Sequence, residues 1–168
     1  VLKLRNESGR ARRLSATGDV AWGLGDLRAK SLMHVPTEMG PASGALFARN
    51  PYNPEFTDRV AFFDVDAAKR SVSADRTEFI GRNGTLKNPA AMGRVRLSGK
   101  VGAAMDPCGA IQVAFDLADG QEREIVFRLG VGRNTDDAKN LVQRLRGSAA
   151  ARTALEAVWG HWTHLLGA

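Results

Sequence analysis

The fold this sequence predicts is an antiparallel β-sandwich that ends in α-helices, and three observations predict it. Apolar residues alternate with a period of two through residues 1–132, Gly, Pro and Asn interrupt the alternating runs, and beyond Gly132 the apolar period lengthens to that of a helix. Alternation marks strands with one buried face. No helix-length amphipathic segment separates the runs, which argues for a sandwich over a parallel α/β sheet.

The first clear strand places Leu14, Ala16, Gly18, Val20 and Trp22 on one face and Arg13, Ser15, Thr17 and Asp19 on the other, so it is half buried. Val60, Phe62 and Asp64 alternate with Ala61, Phe63 and Val65 in a run apolar on both sides, as a strand between two packed layers requires. Ile111, Val113, Phe115 and Leu117 alternate with Gln112, Ala114 and Asp116. After the turn at Ala118–Gln121 come Ile125, Phe127 and Leu129, expected as the second arm of a hairpin. The connections Arg49–Pro54, Gly81–Gly84 and Asp106–Pro107 carry residues that supply a positive or fixed φ and belong at the surface.

Past Gly132, Asn134 or Thr135 is expected to cap a helix that has Asp136 and Asp137 at the positive end of its dipole and Ala138, Leu141, Val142 and Leu145 as its stripe. Gly147 is expected to end it and Ser148 to cap a second helix, with Ala151, Leu155, Val158, Trp159, Trp162, Leu165 and Leu166 on one face. Two tryptophans on one stripe want a partner surface; the alternatives are a face partly exposed, or one covered by the sandwich or by a second copy. The division expected is a β-sandwich domain over 1–132 and a helical linker segment over 133–168.

At 168 residues, 43% of them hydrophobic and 25% charged, the chain has the size and composition of one globular domain and is too short for two domains around a central cleft. No apolar run approaches the roughly 18 residues that cross a bilayer, and the alternating start VLKLRNESGRARRL is not a secretion signal. The segment is therefore expected to be soluble. With no initiator Met it reads as excised from a longer protein. The single cysteine, Cys108, excludes an internal disulfide framework and a multi-cysteine zinc site. A net charge of +6 raises a polyanion as partner, but past Lys3, Arg5, Arg10, Arg12 and Arg13 the cations are scattered among acids, so no nucleic acid is expected.

The sequence has no G-x-x-x-x-G-K-[ST] phosphate loop, no H-E-x-x-H and no G-x-S-x-G elbow. Gly130-Val131-Gly132 lies between a strand and a helix, but without the parallel βαβ unit of a dinucleotide site it reads as a strand exit. His34, Thr37 and Glu38 combine an imidazole, a hydroxyl and a carboxylate. Two readings stand for them, contact with a polar ligand or a structural hydrogen bond at a strand end. Phe47–Asn53, expected as a loop, offers an aromatic ring with amide and guanidinium groups, the types that stack on a sugar face and grip its hydroxyls; a purely structural loop is the alternative. His161 and His164 lack a companion carboxylate or thiol and read as surface or packing residues. Asp64, Asp66, Asp75 and Glu78 are near only in sequence, and no acid/base pair for glycoside chemistry stands out.

In order along the chain, HVPTE, FARNPYN, VAFFDVD, DRTEFIGRNGTLKNPAAM, LSGKVGAAMDPCGAIQV and REIVFRLGVG resemble the N-terminal sandwich region of glycoside hydrolase family 94, the glycoside phosphorylases. ARNPYN, DRTEFIGRNG and DPCGAIQ together resemble the phosphorylase-like C-terminal region of bacterial cyclic β-1,2-glucan synthases. The resemblance implies a galactose mutarotase-like supersandwich, completed by strands from upstream sequence and followed by helical linkers and an (α/α)6 barrel; the Trp159–Leu165 stretch resembles the start of that linker. The family's general acid and phosphate-binding groups lie on the barrel, so the resemblance assigns this segment no catalytic residue, no metal and no cofactor, and inorganic phosphate is a co-substrate of the whole protein only. It implies a scaffold for the barrel and a sandwich loop bordering the sugar site, in some members across a homodimer, with His34, Thr37, Glu38, Arg49, Asn50 and Tyr52 as candidate rim residues. The sequence departs from related cellobiose phosphorylases at Met39–Gly44, where they carry an Arg-rich stretch. The implied ligand is a β-1,2-glucan or glucooligosaccharide, and the implied location is the cytoplasmic side of the bacterial inner membrane, beside a membrane glycosyltransferase. A free-standing glucan-binding module and a basic polyanion binder are the rival readings.

Overall fold

The computed structural model describes residues 1–167, so Ala168, the last residue of the expected linker segment, lies outside the described residues. In chain order the elements are β1 (Leu2–Arg5), β2 (Arg12–Ala21), α1 (Arg28–Ser31), a 3₁₀ turn at Leu32–His34, β3 (Thr37–Met39), β4 (Leu46–Arg49), β5 (Val60–Val65), β6 (Ser71–Asp75), α2 (Arg76–Ile80), a 3₁₀ turn at Ala90–Gly93, β7 (Pro107–Leu117), β8 (Glu122–Ile125), β9 (Phe127–Gly132), α3 (Thr135–Arg144) and α4 (Ser148–Leu166). The strands form an antiparallel sheet of order β3-β4-β5-β9, a second of order β2-β7-β6, and the separate pair β1-β8.

The two larger sheets pack face to face through Ala16, Leu46, Ala48, Ala61, Phe63, Val65, Ile111, Val113 and Phe115. Because successive residues of a strand point to opposite faces, Val60 and Phe62 of β5 face away from that core and meet Ala138 and Val142 of α3. The doubly apolar run is thus a strand between a sheet and a helix. Gly132 permits the approach, since a Cβ there would stand 2.3 Å from the Ala138 nitrogen. Asn134 caps α3, its Oδ1 accepting from the Asp137 N–H at 2.9 Å. The predicted stripe is buried at Ala138 and Val142 and partly buried at Leu141.

Three expectations are corrected, the first being that Asp106–Pro107 belongs at the surface: Pro107 opens β7 and is fully buried. The runs around Phe115 and Phe127 do not form a hairpin: β7 pairs with β2 and β6, while the chain after Gly120 divides at Val126 into β8, paired with β1, and β9, paired with β5. Alternation identifies a strand but carries no information about its neighbour. Ser148 does not cap the second helix; it is the first helical residue, after Gly147 at φ 100°, and no side-chain cap is made. Two short helices, α1 and α2, went unannounced by any apolar period. Asp75 starts α2 by accepting from the N–H groups of Thr77 and Glu78 at 3.0 and 3.3 Å.

The end of α3 is fastened to the sheet by ions. Asp64 is fully buried and accepts from Arg70 at 2.5 Å, Arg128 at 2.6 Å and Arg146 at 3.1 Å. Asp66 pairs with Arg128 and accepts the Gly147 N–H at 3.0 Å, and Arg128 also donates to the Leu145 carbonyl at 2.7 Å. Burial pushes the Asp64 carboxyl up, but the three guanidinium groups outweigh it and hold the acid below the usual carboxylate range. α4 projects beyond this junction with none of its residues buried. Among the described residues no helix is long and apolar enough to cross a membrane.

Candidate functional site

A groove of about 750 Å³ opens between the loop after β2 and the loop between β4 and β5, lined by Gly25, Asp26, Lys30, Ser31, His34, Asn50 and residues 52–56. Asn50 sets its shape. Its side-chain N–H donates to the Leu24 carbonyl at 2.6 Å and its Oδ1 accepts from the Tyr52 N–H at 3.1 Å, so one buried amide ties both walls together. Asn53 folds the far end of the loop, accepting from the N–H groups of Glu55 and Phe56 at 2.9 and 3.0 Å. These turns present two aromatic rings to solvent: Tyr52 is 73% exposed and Phe56 50%. The His34 ring lies 4.6 Å from that of Tyr52, inclined by 47°. A second hollow of about 450 Å³ shares Gly25, Asn50, Asn53 and Phe56 and is otherwise lined by Leu24, Arg59, Ala61 and Val131.

The structure brings together three of the six rim residues expected from the sequence: His34, Asn50 and Tyr52. Thr37, Glu38 and Arg49 line a separate cleft of about 40 Å³ with Pro36, Phe47, Ala48 and Val60. Thr37 is buried, and its hydroxyl donates to the Gly102 carbonyl at 3.0 Å while accepting the Gly102 N–H at 3.1 Å. Glu38 and Arg49 are exposed, on the strands β3 and β4. Phe47–Arg49, read as loop, is strand, and Phe47 is buried under α3. Sequence reasoning missed Asp26, Lys30, Glu55 and Phe56. The signal available for Phe56 was the turn chemistry of Asn53-Pro54, which returns the chain toward Asn50; Asp26 and Lys30 had none.

The groove offers aromatic faces beside carboxylate, amide and ammonium groups, an arrangement suited to a polyhydroxylated ligand: apolar C–H faces lie on rings and hydroxyls meet the polar rim. No group of three or more His, Cys, Asp or Glu among the described residues is placed to hold a metal ion. Cys108 is buried away from the groove, and burial, with Asp19, Asp75 and Asp106 nearby, pushes its thiol far up, so it is no nucleophile at neutral pH.

Comparison with known proteins places the chain in a family. The sequence model of the glycosyl hydrolase 94 supersandwich domain matches residues 1–148. The cyclic β-(1,2)-glucan synthase NdvB of Rhizobium meliloti (strain 1021) is 33% identical over 165 residues, an alignment that covers 96% of this chain and 6% of that protein.

Proposed function

Because this chain belongs to the glycosyl hydrolase 94 supersandwich family, we propose that it is a non-catalytic, carbohydrate-associated domain that scaffolds a catalytic barrel supplied by other polypeptide and lends its groove to the rim of the sugar site. The observation that carries the reading is the Tyr52–His34 pair, an exposed aromatic plane at the mouth of a groove whose other walls bear Asp26, Lys30 and Glu55. The proposed ligand class is a β-1,2-linked glucan or glucooligosaccharide, and the name of NdvB, a cyclic β-(1,2)-glucan synthase, supports it. Inorganic phosphate, as co-substrate of the whole protein, needs no group of this domain. Within the whole protein the domain lies on the cytoplasmic side of the inner membrane.

The test is a titration of the chain with β-1,2-glucooligosaccharide followed by heteronuclear NMR. Shifts are expected to concentrate on His34, Tyr52, Asn53 and Phe56, with Tyr52→Ala weakening affinity at least about tenfold, as truncation of a central aromatic does. The same substitution should leave thermal stability unchanged, because the side chain is exposed. Titration to saturation of the sugar's solubility without a shift in these residues sinks the proposal.

A further inference from the structure

Residues 79–105 carry five cations, Arg82, Lys87, Arg94, Arg96 and Lys100, and no acid. This tract runs from α2 to the approach to β7 and is held on the outer face of the β2-β7-β6 sheet, where Phe79, Ile80, Ala91 and Leu97 pack on Cys108 and Ala110. Its turns are hydrogen-bonded. The Gly84 N–H donates to the Gly81 carbonyl at 3.1 Å, Asn88 to Thr85 at 3.1 Å and Met92 to Pro89 at 3.0 Å. A Cβ on Gly81 would stand 2.8 Å from that of Ala90, so the first and last of these turns lie side by side and form one surface.

The basic run near the N-terminus is partly spent internally: Lys3 pairs with Glu124, Arg5 with Glu7 and Glu122, and Arg13 stands opposite Asp116 in the β2-β7 register. The tract is different. Arg94 and Lys100 reach back to Glu78 and Asp75, but Arg82, Lys87 and Arg96 make no ion pair among the described residues. Between these cations apolar side chains face water, Val95 at 85% exposure, Leu86 at 63% and Met92 at 45%. A hollow of about 360 Å³ opens at the start of the tract, lined by Arg76, Thr77, Arg82, Thr85, Leu86 and Asp106. Asp106 is already matched by Arg28 and Arg76, so with Arg82 the hollow keeps a surplus of positive charge.

We propose that this tract docks on an anionic lipid bilayer, with a headgroup phosphate in the hollow between Arg76 and Arg82 and with Leu86, Met92 and Val95 entering the boundary of headgroups and acyl chains. Charge alone would suit any polyanion. The bare apolar side chains decide for a bilayer, because a nucleic acid presents a hydrated phosphate backbone and no hydrocarbon for Val95 to enter. The surface shares no residue with the groove at Tyr52.

Co-sedimentation of this chain with vesicles of phosphatidylcholine, alone or with about 30 mol% phosphatidylglycerol, tests the proposal. Affinity for the mixed vesicles is expected to exceed that for the neutral ones at least about tenfold, and Lys87→Glu to remove most of the difference. Val95→Ser, at an exposed position, should keep Tm within about 2 °C and weaken binding to the mixed vesicles at least about threefold. Tyr52→Ala should leave vesicle binding as it is. Equal affinity for the two kinds of vesicle, or none for either, overturns the proposal. So does a Val95→Ser variant that binds the mixed vesicles as tightly as the unchanged chain, since the partner is then any polyanion. Release from the vesicles by inorganic phosphate beyond that caused by sodium chloride of the same ionic strength also overturns it, making the hollow a site for the free ion.

Discussion

Asn50 and Thr37 are both buried polar side chains, and they act on different things. Asn50 joins Leu24 to Tyr52 and so holds the groove's two walls at their spacing. Thr37 joins β3 to Gly102, and nothing in its bonds reaches the groove. Thr37→Val keeps the shape and leaves the Gly102 N–H without its hydroxyl partner, so urea denaturation should show a loss of about 1–3 kcal/mol with sugar affinity unchanged. Asn50→Ala should lower both stability and affinity. If Thr37→Val weakened sugar binding as much as Asn50→Ala, the division between these two residues would be wrong. Three residues of the groove, His34, Asn50 and Tyr52, were legible in HVPTE and FARNPYN, but the direction of each side chain was not. β3 is 3 residues long, too short to show a period, and its pairing with β4 sets Thr37 beside Ala48 toward the core and Glu38 beside Phe47 on the other face.

Among the elements, the junction of α3 and α4 depends on Asp64. Burial raises the acid's pKa and Arg128, Arg70 and Arg146 lower it further than burial raises it, so the folded value lies below the unfolded value of about 3.9. The unfolded chain then binds the proton more readily, and the stabilisation is fully present above about pH 4 and is lost as pH falls through the folded value. Asp64→Asn should cost about 3–5 kcal/mol at pH 7, because it leaves three arginines facing an uncharged amide, and should flatten the part of the acid-induced loss that Asp64 causes. Denaturation midpoints at pH 7 and pH 3.5 for both proteins measure this; parallel pH profiles would refute it. The alternation around Phe62 revealed β5 and its two buried faces. It could not reveal the cluster, whose arginines come from the β5-β6 turn, β9 and the turn after α3. Strand partnership was hidden for the same reason, as the break at Val126 that sends β8 and β9 to different sheets leaves the apolar rhythm intact.

For the whole molecule the question is which helix belongs to the sandwich. The change of period at Gly132 marks where strand gives way to helix, and the sequence holds no further sign of where the cooperative unit ends, since that is decided by burial. α3 contributes Ala138 and Val142 to a cluster with Phe47 and Phe62, and Arg146 just past it reaches Asp64. α4 contributes no buried residue, and its Arg152–Glu124 ion pair is a surface contact worth about 0–1 kcal/mol. Ending the chain after Gly147 should therefore leave Tm within about 2 °C and sugar binding unchanged, whereas ending it after Gly132 uncovers Phe47 and Phe62 and should unfold the sandwich at room temperature. Tryptophan emission gives an independent readout. Trp22 is buried while Trp159 and Trp162 are exposed on α4, so the full chain should emit at long wavelength and the 1–147 chain should shift to the blue. A 1–147 chain that lost much of its stability would mean that the apolar face of α4 folds back onto the sandwich in solution, and the expected blue shift would then be absent because Trp159 and Trp162 were already shielded in the full chain.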